Sequence, residues 1–376
     1  MNTKDYIDFF EELDDEDKLN VRLGTDKRRP YQRMTRKLIQ EERQFVHKQD
    51  DSKMAELSSQ KRLLRKRESK KQETDLKLFV RAQEISREFK FTYRAARFEE
   101  AWLLDSLVHF AEYQWISDVL RKVKGGKEAS VYLCRSGAAV EAPLVAVKVY
   151  RPRSLRNLKN DGQYRAGRGD LDENGHVIVD DGALHAMEKR TAYGEELRHQ
   201  SWIAFEFQTL EMLHAAGADV PRPYAMEKNA ILMDYIGDLG NAAPTLNSVG
   251  LDPDEVHPLF HRVIHNIDLL LSNQRIHGDL SAYNILYWAR PQGGPGQITI
   301  IDFPQVVYLH ANPKARFVLR RDIERTCEYF VKQGVRCNPR AIADEMWARY
   351  TEEADPEDLA ADWSRLLETI SPVPGD

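Results

Sequence analysis

Apolar and polar positions along the chain sort into unlike stretches. Residues 1 to about 75 offer few apolar positions from which a core could form, which predicts an arm that is in part disordered or helical only when bound. From Leu76 to Leu120 the spacing turns helical. Leu103, Leu104, Leu107, Val108 and Ala111 recur every three or four residues, and Trp115, Ile116, Val119 and Leu120 continue the pattern. A strand-rich block comes next: VYLC (131–134) and LVAVKVY (144–150), joined by turn-forming residues, predict an antiparallel hairpin. The polar, Gly- and Asp-rich stretch from Arg151 to about Gly194 is too long for a plain loop in a compact domain. Residues 195–215 read as an amphipathic helix that Gly217 stops, and AILMDYI (230–236) as a buried strand. After the break GDLGNAAP the pattern is mostly helical, interrupted by the strand-like ILYWA and ITIIDF.

A small sheet with one helix, a hinge, then a helical body is an α+β layout of two lobes. The boundaries predicted are a charged arm at 1–75, a helical lead-in at 76–120, a first lobe at 121–236 and a second lobe at 237–350. An acidic C-terminal helix at 351–376 would pack through Leu359, Trp363, Leu366 and Leu367.

Charge changes the picture of the arm. The net charge of −5 is an average over unlike parts: Arg22 to Lys71 carries 17 Lys or Arg against 7 Asp or Glu, leaving about −15 for the rest. Such an arm is either a solvated helical tail or an electrostatic contact for RNA or another polyanion. Three cysteines without CxxC spacing argue against a disulfide framework or a zinc site and for a reducing, cytoplasmic setting. No run of about 18 apolar residues predicts a membrane span, and the acidic start of the chain lacks the layout of a signal peptide.

Four places carry groups that phosphoryl transfer to a hydroxyl needs, in an order that resembles the one a protein-kinase-like fold presents. In VKGGKEASVYL (123–133), the glycine positions of G-x-G-x-x-G-x-V hold Lys124, Gly126 and Ala129, so the stretch alone reads as a β-turn. Its small residues would still let backbone N–H groups approach phosphate oxygens, with Lys127 and Ser130 adding a charge and a hydroxyl. Lys148, 17 residues after Val131, is centred in the apolar run VAVKVY, where a cation is costly unless paired. Glu206, among apolar neighbours in WIAFEFQTLEML, is the candidate partner, with Glu195, Glu196 and Glu211 as competitors. In HGDLSAYNILY (277–287), Asp279 and Asn284 are five apart, and Asp302 lies 18 residues further on in ITIIDFPQ. Asp279 suits orienting or deprotonating a hydroxyl, while Asn284 and Asp302 offer oxygens of the kind Mg²⁺ prefers.

Together GKEASVY, HGDLSAYNILY and IIDFPQ resemble the RIO family of atypical serine/threonine kinases, and ILMDYIG is similar to that family's hinge strand. The resemblance covers roughly residues 90 to 340. It implies a trimmed, two-lobed protein-kinase-like fold without the usual activation and substrate-binding segments. It also implies that ATP lies against Gly126, Lys127, Ser130, Val131 and Ala146, with Lys148 on its phosphates and Glu206 paired to that lysine. Met233 and the backbone of Asp234 and Ile236 would meet adenine. Asp279 would be catalytic together with Lys148, and Asn284 and Asp302 would hold Mg²⁺, or Mn²⁺ in its place. The implied acceptor is a protein serine or threonine, on the chain itself or on another protein, and relatives tie the cycle to maturation of the small ribosomal subunit.

Three departures from the kinase pattern stand out. Gly278 replaces the arginine of H-R-D, removing the cation that would receive a phosphorylated activation loop. Pro304 replaces the DFG glycine and stiffens the segment after Asp302. Lys148 and Glu206 are 58 residues apart, because DLDENGHVIVDDGALH and its neighbours are inserted between them. Two other functions share parts of this pattern: a small-molecule kinase of the aminoglycoside or choline type, and an ATP-gated RNA or ribosome assembly factor with little transferase activity. GKEASVY and the short region after Asp302 weigh against the former.

Overall fold

The computed structural model describes residues 89–126, 128–151, 168–172, 174–289 and 296–351. The basic arm, Lys127 and the acidic segment after Thr351 lie outside the described residues, and the fold does not bear on the expectations for them.

Helix α1 (Arg97–Glu112) begins with Glu99 and Glu100, carboxylates that suit the positive end of a helix dipole. Its apolar stripe buries Leu103, Leu104, Leu107 and Val108. The expectation that Trp115, Ile116, Val119 and Leu120 continue this helix is wrong. The chain leaves the helix at Gln114, whose φ is +57°, and runs into strand β1 (Ile116–Gly125). The physical reason is a register shift on each side of the Asp118–Val119 pairs. Bulges add a residue to one strand, so Ile116 and Val119 are both buried although three residues apart. A bulged strand thereby imitates helical spacing.

Strand β1 opens a five-stranded antiparallel sheet completed by β2 (Ala129–Ser136), β3 (Leu144–Tyr150), β4 (Pro223–Glu227) and β5 (Ala230–Asp234), in the order β1-β2-β3-β5-β4. Between β3 and β4 the chain forms α2 (Asp181–Glu188) and α3 (Ala192–Ala215). Asp180 caps α2 by accepting the Ala183 N–H at 2.6 Å, and Thr191 caps α3 by accepting that of Gly194 at 3.0 Å. Helix α3 therefore starts three residues before the expected Glu195. It ends just before Gly217, whose φ of +79° suits glycine.

Alternation along β3 gives the sheet two unlike faces. Val145, Val147 and Val149 join Tyr132, Cys134 and the apolar stripe of α1 in one core cluster. Tyr150 belongs instead to the cluster that runs through α3 into the second lobe. Glu99 is buried beside the first cluster, where it accepts the Tyr132 hydroxyl at 2.6 Å and lies 3.3 Å from the Lys122 ammonium.

The second lobe contains α4 (Pro253–Ser272), β6 (Arg275–Ile276), β7 (Ile285–Trp288), β8 (Gln297–Ile300), β9 (Val307–Tyr308), α5 (Ala315–Lys332) and α6 (Pro339–Thr351). The expected strands ILYWA and ITIIDF form the antiparallel β7–β8 pair, while β6 pairs with β9. This brings the HGDLSAYN loop beside the segment after β8, and the Ile301 N–H donates to the Asn284 carbonyl at 2.9 Å. Among the described residues no helix is long and apolar enough to cross a membrane.

Replacing Tyr132 by Phe removes a hydrogen bond to a buried carboxylate and leaves the rest of the core in place. The variant is expected to lose about 1.5–3 kcal/mol of unfolding free energy in urea titrations. An unchanged midpoint would show that the Glu99 tie contributes nothing to α1 docking.

Candidate active site

The strand register assembles the first half of the site. Val131 pairs with Lys148, and Ala146 pairs with Met233, so these four side chains share the sheet face turned towards the second lobe. Gly126 donates its N–H to the Ala129 carbonyl at 2.9 Å and closes the tip of the β1–β2 hairpin. Ser130 is not brought to this face. It is buried one position out of phase, paired with Val149, on the face that also carries Tyr132. The two-residue period of a strand is why it and Val131 point to opposite sides.

Lys148 is buried, 8% exposed, with its ammonium 2.7 Å from Glu206 and 2.6 Å from Asp302. The second oxygen of Glu206 accepts the Tyr150 hydroxyl. Burial on its own would depress the lysine pKa, but the charges of Asp302 and Glu206 outweigh it and hold the group well above its ordinary value. For Asp302 burial pushes upward, and the Lys148 ammonium overrides it, so the carboxyl stays below its usual range. Glu206 is thus the partner that α3 delivers. Glu195 stands in the first turn of that helix, and Glu196 and Glu211 are exposed.

The second half is the loop after β6. Gly278 has φ +85°, and a Cβ there would lie 2.1 Å from the Gln305 carbonyl oxygen. Glycine at this place is therefore required by close approach of the backbone, beyond the loss of a cation. The Gly278 N–H donates to Asp322 at 2.7 Å, and Arg321 donates to the Gly278 carbonyl. Arg325 donates to Asp279 at 2.8 Å. The Asn284 amide nitrogen donates to the Asp279 carbonyl at 2.9 Å and to its carboxylate at 3.2 Å, which leaves the amide oxygen to face elsewhere. His277 is buried and accepts the Asp279 N–H at Nδ1, 3.2 Å away. Its Nε2 then carries the hydrogen and donates to the Ile301 carbonyl at 3.2 Å. Burial lowers its pKa, in keeping with a neutral ring.

At the hinge, the Asp234 N–H donates to the Arg222 carbonyl at 2.9 Å, and the Asp234 carboxylate accepts the Tyr224 hydroxyl at 2.5 Å. The Ile236 carbonyl accepts the Ala243 N–H at 2.9 Å. Tyr150, Asp322 and Arg325 belong to the site although no motif points to them. Asp322 leaves a trace in the sequence, as a carboxylate on the otherwise apolar stripe of Val318, Leu319, Ile323 and Cys327. Arg325 leaves none, because an exposed helix arginine has no distinguishing pattern.

A family model described as the RIO domain matches residues 130–342. The chain is 29% identical over 216 residues to a RIO-type serine/threonine-protein kinase Rio1 of Haloferax volcanii, covering 56% of this chain and 63% of that protein. It is 32% identical over 237 residues to a serine/threonine-protein kinase RIO1 of Chaetomium thermophilum, covering 58% and 40% respectively. The matched region thus spans less than two thirds of either relative. Among solved structures, a Rio2 kinase–ADP/Mg²⁺–phosphoaspartate complex from Chaetomium thermophilum aligns with a TM-score of 0.45 at 19% identity, covering 72% of this chain and 77% of that one.

Burial pushes the Asp322 carboxyl up to about 7, against the lowering effect of the Gly278 N–H. An unfolded aspartate titrates near 4, so between about pH 4 and pH 7 the fold keeps a proton that the unfolded chain has lost. This group therefore makes stability fall as pH rises through that interval. Asp322→Asn, which keeps an oxygen for the Gly278 N–H, is expected to flatten that part of the curve in urea titrations at pH 4 to 7. Parallel curves for the two proteins would show that Asp322 does not titrate in this way.

Proposed function

The chain belongs to the RIO family, and from that premise we propose that it transfers the γ-phosphoryl group of ATP to a serine or threonine hydroxyl of a protein, itself included. The observation that carries this reading is the convergence of Glu206 and Asp302 on Lys148, opposite a loop in which Asn284 is tied to Asp279.

In this reading Val131, Ala146 and Met233 offer the apolar face on which adenine lies, beside the backbone of Asp234 and Ile236. Gly126 has no side chain to crowd phosphate oxygens at the hairpin tip, and Lys148 grips the phosphate chain while Glu206 and Tyr150 fix its direction. Asp279 orients the acceptor hydroxyl and takes its proton. The hydroxyl oxygen bonds to the γ-phosphorus as the bond to the β-phosphate oxygen breaks, releasing ADP. Asn284 and Asp302 suit Mg²⁺, because the Asn284 nitrogen is committed to Asp279 and its oxygen is what remains to offer, beside a carboxylate. When bound, the cation neutralises charge on the phosphates. Mn²⁺ would meet the same donors. An RNA-rich or ribosomal partner for the basic arm rests on the charge excess of residues 22–71.

The test is incubation with γ-labelled ATP and Mg²⁺, followed by identification of the labelled amino acid. Label on serine or threonine is expected, reduced at least about a hundredfold in Asp279→Asn, with ADP affinity retained. Undiminished label in the variant would remove Asp279 from the reaction. Transfer to a small hydroxylated compound alone would overturn the protein-kinase reading.

A further inference from the structure

Arg168 connects the two segments whose carboxylates meet on Lys148. Its guanidinium carbon is 4.0 Å from the centroid of the Phe205 ring, one residue before Glu206 on α3. The same guanidinium donates from Nη2 to the Pro304 carbonyl at 3.1 Å and to the Val306 carbonyl. Both carbonyls belong to the turn that starts at Asp302. The backbone just after Arg168 is itself fastened to α3, since the Leu171 N–H donates to the Ser201 hydroxyl at 2.9 Å. The Phe205 ring is buried and packs edge-on against Tyr308 of β9, 5.8 Å away. The arginine thus bridges from the segment 168–172, which is fastened to α3, to the turn after Asp302.

The Phe303 and Val306 side chains anchor this turn in the core, but its backbone makes few hydrogen bonds of its own. Asp302 is a non-glycine residue at φ +73°, Pro304 has no N–H to donate, and the Val306 N–H reaches the Phe303 carbonyl only at 3.3 Å. A guanidinium suits the place. Its flat face stacks on an aromatic ring while its edge donates to carbonyls, and its charge never titrates away. Lys148 pulls Glu206 and Asp302 together from one side, and Arg168 fixes the spacing of α3 and the Asp302 turn from the other.

We propose that Arg168 is a positioning residue for phosphoryl transfer, locking the segment Asp302–Val306 to α3 so that Asp302 keeps the place at which it holds the cation. The inference rests on the phosphotransferase reading for its consequence, whereas the lock itself can be measured without nucleotide.

The experiment compares the full chain with Arg168→Ala and Arg168→Lys by hydrogen–deuterium exchange without nucleotide, and by ADP titration with Mg²⁺ and with EDTA. In Arg168→Ala the amides of residues 303 and 305–307 are expected to exchange about tenfold faster while those of α4 stay unchanged. The gain in ADP affinity on adding Mg²⁺ should fall about tenfold, with affinity in EDTA held within about twofold. Arg168→Lys keeps the charge but not the flat fork, and should fall between. If Arg168→Ala accelerates exchange in every element, the chain has lost its fold and Arg168→Lys decides, with a local effect at 303–307 expected. Unchanged exchange and an unchanged Mg²⁺-dependent gain in both variants would overturn the lock. No Mg²⁺-dependent gain in the unaltered chain would overturn the phosphotransferase reading instead, and the exchange data would still report on the lock.

Discussion

A lysine in the middle of a buried strand is the demand that organises this molecule. An unpaired ammonium at Lys148 would cost several kcal/mol, so the fold must deliver carboxylates to it. They come from far along the chain, one from α3 and one from the turn after β8, 58 and 154 residues away. The helix must lie across the sheet face that carries Ala146, Lys148 and Tyr150, and the second lobe must present its β7–β8 end to the same point. The relative placement of the lobes has to satisfy this cation together with the apolar cluster that runs from Tyr150 through α3 into the second lobe. Tyr150 adds to this by taking the oxygen of Glu206 that Lys148 leaves.

The second lobe solves a related problem with backbone rather than charge. The loop from His277 to Asn284 is held by a buried imidazole, by the Asn284 amide and by α5, whose Asp322, Arg321 and Arg325 touch Gly278 and Asp279. Position 278 has no side chain to offer, and the cations near the loop come from α5 instead. These contacts lie within the lobe, so packing sets the geometry of Asp279. Arg168 performs the corresponding task for the turn at Asp302.

Much of this is legible in the residues. Lys148, Glu206, Asp279, Asn284 and Asp302 stand out because polar groups in apolar runs, or at fixed spacing, leave a pattern, and the structure gathers them. What escapes does so for physical reasons. The bulges of β1 give a strand the spacing of a helix, so α1 looks longer in the sequence than it is. Motif position points Ser130 at phosphate, whereas strand alternation turns it to the face opposite Val131 and Lys148. Arg168 and Arg325 act across 136 and 46 residues, distances over which no local pattern marks a partner. Asp322 is readable as a carboxylate on an apolar helix face, a signal of the same kind as Glu206.

The claim that Glu206 acts through Lys148 is tested most directly by a double-mutant cycle on phosphoryl transfer, with Lys148→Met, Glu206→Gln and the double variant. If the carboxylate serves only to hold the ammonium, the double variant loses no more rate than Lys148→Met alone, because nothing is left for Glu206 to position. Losses that multiply would mean that Glu206 contributes independently, and the account built on their ion pair would fail.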